Sequence, residues 1–211
     1  PNGYYGTLML PSTGGGTNWP GGSVDPETGI FYQFSFTSMV SLGLVNDPER
    51  SDMDFIRGNP PGVAPRDRSL TIRGLPLVKP PWGRISAIDL KTGDILWQIA
   101  HGETPDNVRE HPDLQGVDIP RTGRQGRVGT LITKTLVIAG EGGTFTTPSG
   151  ERGAMLRAYD KATGEEVGEV YMPAPVSGSP MTYMHEGQQY IVTAASGGGQ
   201  AGELLAYRLP E

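Results

Sequence analysis

The sequence predicts an all-β chain made of four-stranded antiparallel blades, the repeating unit of a β-propeller. Three observations carry this. Short runs rich in Val, Ile, Leu and Tyr alternate with Gly, Pro, Asn and Asp, the pattern of strands joined by tight turns. No segment sustains the periodicity of an amphipathic helix. One hairpin motif occurs twice, as "AIDLKTGDILWQ" at 87–98 and "AYDKATGEEVGEV" at 158–170.

Strands are expected at Ile30–Phe36, 84–89, 95–99, 129–139, 155–159, 166–171, 189–195 and 203–209. The turns come from 32 glycines and 19 prolines in 211 residues, enough to bound every run. The two hairpins align as Ala-x-Asp-x-x-Thr-Gly: Ala87, Asp89, Thr92 and Gly93 against Ala158, Asp160, Thr163 and Gly164. The Asp ends a strand and bonds the turn amides; the Gly takes the positive φ that the turn needs. Asp25, Asp89 and Asp160 are therefore read as turn formers rather than catalytic bases. The returning strand of the first copy carries Trp97, expected to pack between blades with its N–H on a backbone carbonyl. The second copy has Gly168 at that place, which predicts a looser contact there.

One unit thus reads strand, turn, strand, loop, strand, Thr-Gly turn, strand. The region before Ala87 supplies one such blade, with its inner strands near 18–36. "GTLITKTLVIAGEGG", turning near Lys134 and Thr135, opens a second that the later hairpin completes. "VSGSPMTYMHEGQQYIVTAASGGGQAGELLAYRL", from Val176, supplies three strands of a third. Two stretches, 46–78 and 102–127, are long and irregular, which favours functional loops over connectors. Propellers close with about four to eight blades. The chain is therefore expected to be the C-terminal part of a larger propeller. Its open edges would be covered by the N-terminal half or by further copies of itself.

With 17 basic against 23 acidic residues, a net charge of −6 and no basic stripe, the chain offers no footprint for nucleic acid. There are no cysteines, and His101, His111 and His185 show no metal-ligand spacing. No metal site is expected within the chain. The stretch "GGGTNWPGG" at 14–22 stands apart. A plain hairpin needs neither an amide nor an indole there. Asn18 can cap its own turn or donate to a ligand; Trp19 can pack or meet the same ligand.

In order, "GGTNWPG", "PPWGRISAIDLKTG", the hairpin ending at Trp97 and "GSPMTYMHEGQQYIV" resemble the C-terminal portion of pyrroloquinoline-quinone (PQQ) dependent dehydrogenases. The likeness is greatest to the membrane-bound glucose and quinate dehydrogenase type. The resemblance implies an eight-bladed propeller with PQQ near its axis, beside Ca²⁺ or a lanthanide ion. It implies oxidation of an alcohol, polyol or aldose, electrons passing to a membrane quinone or a cytochrome, and a periplasmic location. The catalytic Asp and the metal ligands would lie in earlier blades, so no catalytic or metal residue is assigned here. The resemblance puts Asn18 at PQQ, with Trp19 its neighbour in the motif. Arg127, in "RTGRQGR", is either part of a solvated loop with Arg121 and Arg124 or a partner for a PQQ carboxylate. Trp82 reads as a packed aromatic. The alternative to an enzyme is a non-catalytic propeller serving as an assembly or binding scaffold. Such a scaffold has no use for Gly-Thr-Asn-Trp or for the two long loops.

Overall fold

The computed structural model describes residues 6–59, 70–147 and 149–208. Along the chain come β1 (Thr7–Met9), β2 (Gly22–Asp25), β3 (Ile30–Phe36) and β4 (Val40–Val45). β5 (Ile56–Gly58), β6 (Thr71–Ile72), β7 (Leu75–Pro76), β8 (Gly83–Asp89) and β9 (Ile95–Ala100) follow. After a short helix α1 (Asp106–Arg109) come β10 (Thr130–Ile132), β11 (Leu136–Gly140), β12 (Phe145–Thr146), β13 (Arg152–Asp160) and β14 (Glu166–Met172). β15 (Met181–His185), β16 (Gln188–Gly197) and β17 (Gln200–Arg208) end the series.

These strands fall into two compact units. The smaller, Pro1–Gly16 with Thr37–Lys79, holds the sheet β1-β4-β5 and the ribbon β6-β7. The larger, Thr17–Phe36 with Pro80–Glu211, holds three antiparallel blades. Blade one is β2-β3-β8-β9. Blade two is β10-β11-β13-β14, with β12 paired to the start of β13. Blade three is β15-β16-β17, with no strand beyond β17 among the described residues.

The predicted strands all lie within these blades. The run 129–139 divides into β10 and β11, and the expected stretch 102–127 carries α1 and a 3-10 turn at Pro112–Leu114. β1, β4 and β12 were not expected, nor were β5, β6 and β7, which fall in the stretch 46–78 read as irregular. β1 and β12 have only three and two residues, and the six-residue β4 carries Gly43 within its run. Residues 60–69 of the stretch 46–78, and residue 209 of the last expected strand, lie outside the described residues.

The repeated hairpins have the geometry their residues require. Asp89 Oδ1 accepts from Lys91 N (2.7 Å), and Asp160 Oδ1 from Ala162 N and Thr163 N (both 2.9 Å). Gly93 and Gly164 sit at φ +81° and +77°, a region that disfavours any side chain. Ala87 lies opposite Trp97, and Ala158 opposite Gly168. The two turns are therefore in register as the sequence alignment has them.

Blade one is fastened to blade two through the second of these turns. Trp97 Nε1 donates to the carbonyl of Lys161 (3.1 Å), and Tyr32 Oη donates to the same oxygen (3.0 Å). Lys161 Nζ reaches back to buried Asp25 (2.7 Å), and this partner holds the Asp25 carboxyl down to about 2. The indole lies so close over the turn that a Cβ at Gly164 would be 2.9 Å from the ring. Gly168, by contrast, faces open space. There the join to blade three is made by Tyr207 Oη donating to Tyr171 O (3.0 Å).

A second join is fully buried. His101 N donates to Gly83 O in blade one (2.9 Å), while its ring sits on blade two. Nε2 lies 3.2 Å from Gly140 O, and Nδ1 lies 2.8 Å from Tyr159 Oη. A carbonyl only accepts, so the proton is on Nε2 and Nδ1 accepts from the tyrosine. Burial pushes the ring's pKa from 6.5 to about 4. The unfolded chain therefore binds a proton that the fold refuses. The stability tied to neutral His101 is complete above 6.5 and lost as pH falls toward 4.

Two measurements test these joins. In urea titrations Trp97→Ala should cost ~3 kcal/mol, the range for truncating a packed aromatic. Trp97→Phe, which keeps most of the packing and loses the N–H bond, should cost ~1 kcal/mol; a value equal to wild type would show that bond to be idle. Between pH 7 and 4 the wild type should lose about 3 kcal/mol through His101. His101→Gln should flatten that slope, and an unchanged slope would assign the titration elsewhere.

Candidate functional site

The innermost strands of the blades converge. Ser23 Oγ, in β2, donates to Thr130 O in β10 (2.5 Å), and Thr130 Oγ1 donates to Tyr32 O (3.1 Å). The segments leading into β2, β10 and β15 meet at Pro20, Gly129 and Ser179, where Ser179 Oγ donates to Pro20 O (3.2 Å). Asn18 and Trp19 immediately precede this point on one segment, and Arg127 precedes it on another.

Asn18 caps its own turn: its Oδ1 accepts from Trp19 N (2.9 Å) and its carbonyl from Gly21 N (2.9 Å). The carbonyl side of the amide is thus engaged locally, and Nδ2 is the end that can donate outward. Trp19 is 97% exposed, although indoles are seldom left fully in water. Arg127 is exposed and forms no ion pair among the described residues. The other two arginines of its loop have partners. Arg121 pairs with Glu103 (3.1 Å) and closely with Glu166. Arg124 bonds the Thr144 carbonyl and lies over the Phe145 ring at 5.9 Å. Trp82 is buried, as expected.

Sequence reasoning missed a second polar centre. A cleft of ≈390 Å³ opens over blade two, lined by Glu103, Arg121, Phe145, Glu169 and Tyr171 among others. At its floor Arg157 is 1% exposed. Its Nε bonds Glu141 (2.7 Å), Nη1 bonds Glu166 (2.8 Å) and Glu169 (2.5 Å), and Nη2 bonds Glu103 (3.0 Å). Burial raises the Glu141 carboxyl, and the Arg157 charge opposes that rise. The guanidinium has carboxylates on all three nitrogens, so this centre ties β13 and β14 to the segment before β10. The one signal in the sequence was alternation: Arg157 shares a strand face with Met155 and Tyr159.

Removing the cation from such a site leaves carboxylates facing one another. Arg157→Met should therefore destabilise by about 3–5 kcal/mol, read from urea midpoints. Adding Glu141→Gln should recover part of the loss. A near-neutral single variant would show that the four carboxylates do not depend on Arg157.

Comparison with known proteins agrees with this architecture. A probable quinate dehydrogenase (quinone) of Xanthomonas campestris pv. juglandis is 30% identical over 97% of this chain and 27% of its own length. A quinoprotein glucose dehydrogenase of Escherichia coli (strain K12) is 30% identical over 100% of the chain and 28% of its own. The chain thus spans about a quarter of the length of the curated relatives it matches. The crystal structure of quinohemoprotein alcohol dehydrogenase from Comamonas testosteroni superposes with a TM-score of 0.56. That likeness, at 21% identity over 90% of this chain and 24% of that one, supports the fold. The family described as "PQQ: Glucose/ethanol/alcohol dehydrogenase, beta-propeller domain" matches residues 1–191, and the chain belongs to it.

Proposed function

We propose that the chain is part of the propeller of a PQQ-dependent dehydrogenase. Its substrate is an alcohol, polyol or aldose, and its electrons pass to a quinone or a cytochrome. In this reading Asn18, Trp19 and Arg127 face the cofactor. The observation that carries it is Trp19: a fully exposed indole, beside an amide with a free donor, where the lead-in segments of three blades meet. The names of relatives that act on glucose, quinate and glycerol support the substrate class.

The residues fit a flat, trianionic quinone. Nδ2 of Asn18 would donate to its oxygens, Trp19 would supply an apolar surface beside it, and Arg127 would balance a carboxylate. PQQ when bound supplies the two-electron oxidant; the protein's part is orientation, charge and exclusion of water. Among the described residues no group of three or more His, Cys, Asp or Glu could hold a metal ion. The Ca²⁺ or lanthanide ion proposed beside PQQ would take its ligands, like the catalytic base, from other blades. Those blades would also cover β17 and the exposed Met181, Met184 and Leu204 of blade three. The proposed location is the periplasm.

Full-length protein prepared without PQQ should be inactive on glucose, quinate, glycerol and ethanol. It should gain dye-linked activity on at least one when PQQ and Ca²⁺ are added. Asn18→Ala should weaken PQQ binding about tenfold, the worth of one bond to a charged partner, with only a small fall in melting temperature from the lost bond to Trp19 N. Wild-type affinity in that variant would remove Asn18 from the cofactor site. Activity without PQQ would remove the enzyme reading itself.

A further inference from the structure

We infer that Gly129 and Ser179 are positioning residues for the Asn18–Trp19 turn, so that blades two and three set how firmly the cofactor is held. The inference rests on the assignment of Asn18 and Trp19 to the cofactor.

An exposed side chain is not placed by packing. Trp19, 97% exposed, takes its position from its backbone alone. That backbone is a tight turn closed by Gly21 N on Asn18 O (2.9 Å) and by Trp19 N on Asn18 Oδ1 (2.9 Å). These bonds fix the turn's shape but not its place. Two others fix its place. Gln33 Nε2 donates to Gly21 O (3.3 Å) from within blade one, and Ser179 Oγ donates to Pro20 O (3.2 Å) from the segment that leads into blade three. The second tie spans 159 residues and is the one that couples separate blades.

Gly129 is what gives that tie room. Its φ lies outside the left-handed region, so alanine would be free of backbone strain there. Space forbids it instead. A Cβ at position 129 would stand 2.3 Å from Ser179 Oγ, 2.9 Å from Ser179 Cβ and 3.0 Å from Pro20 Cβ. Non-bonded heavy atoms settle near 3.5–4.0 Å, so one added methyl must push Ser179 off the Pro20 carbonyl. Gly129→Ala and Ser179→Ala would then break the same link, one by displacement and one by deletion.

The test uses the full-length protein, freed of PQQ and titrated with PQQ while tryptophan fluorescence is followed. Gly129→Ala and Ser179→Ala should each weaken binding about fivefold, close to the worth of one exposed hydrogen bond. The double variant should be no weaker than the worse single, because both remove one link. Ser179→Thr, which keeps the hydroxyl, should hold near-wild-type affinity. In PQQ-free protein, hydrogen exchange at the Trp19 and Gly21 amides should quicken in both alanine variants. Trp19→Ala separates the two levels. If it leaves affinity unchanged, the cofactor assignment fails and the inference falls with it. If it weakens binding while Ser179→Ala neither does so nor speeds exchange, the inference alone is overturned. Fully additive losses in the double variant would also overturn it.

Discussion

Lys161 is the residue on which the joining of the first two blades depends. Its carbonyl receives Trp97 and Tyr32, its amide donates to Thr135 O (2.9 Å), and its ammonium pairs with Asp25. Each partner is itself a turn or strand residue of a hairpin. Asp25 caps the β2–β3 turn through Glu27 N (3.1 Å) and Thr28 Oγ1 (2.8 Å) while it holds the lysine. The repeated hairpin is thus more than a repeated shape. One copy supplies the indole and the next supplies the turn that receives it, with Gly164 leaving the space. A buried apolar face alone would let two sheets slide or rotate. Directional bonds to a single carbonyl fix both the angle and the height of one blade on the next.

The buried polar groups follow one economy and solve it in two ways. His101 enters the join neutral, satisfied at both ring nitrogens, and so avoids the cost of a buried charge. Arg157 enters charged and is met by four carboxylates. The histidine leaves nothing for a ligand to take, whereas the arginine centre keeps Glu141 Oε2 buried without a hydrogen-bond partner. At the convergence of the inner strands Trp19 stands in the open, Arg127 is exposed and forms no ion pair among the described residues, and Asn18 uses its Oδ1 to close its own turn.

Much of this was legible in the residues. The Ala-x-Asp-x-x-Thr-Gly hairpins located two turns in register and foretold that Trp97 would find a carbonyl, because turn chemistry and an indole N–H are local properties. The open space at Gly168 was legible for the same reason. Arg157 and His101 were not. Nothing in "MLRAY" or "IAHGE" tells that a distant segment brings Glu103 and Glu141 to one, or Gly140 to the other. The ion pairs of Arg121 were not legible either, because its partners lie 18 and 45 residues away. Local sequence reports the period of a strand, but the partner across a blade interface is set by topology.

The same distinction bears on the inner end of the blades. Asn18 and Trp19 form a motif that a reader of the sequence notices, while Gly129 and Ser179 are small residues that attract no notice. Yet an exposed indole inherits its position from the backbone beneath it. That backbone is pinned to blade three by a serine which a methyl group at 129 would dislodge. A ring of blades closes on its axis only if errors in successive joins do not accumulate there. Polar locks such as Lys161 limit the error between neighbouring blades. The contact of Pro20, Gly129 and Ser179 ties three lead-in segments at one point, where a small misplacement would be felt most. Tight packing of glycine backbone there is therefore a requirement of the site, in the same sense that the positive φ of Gly164 is a requirement of the turn.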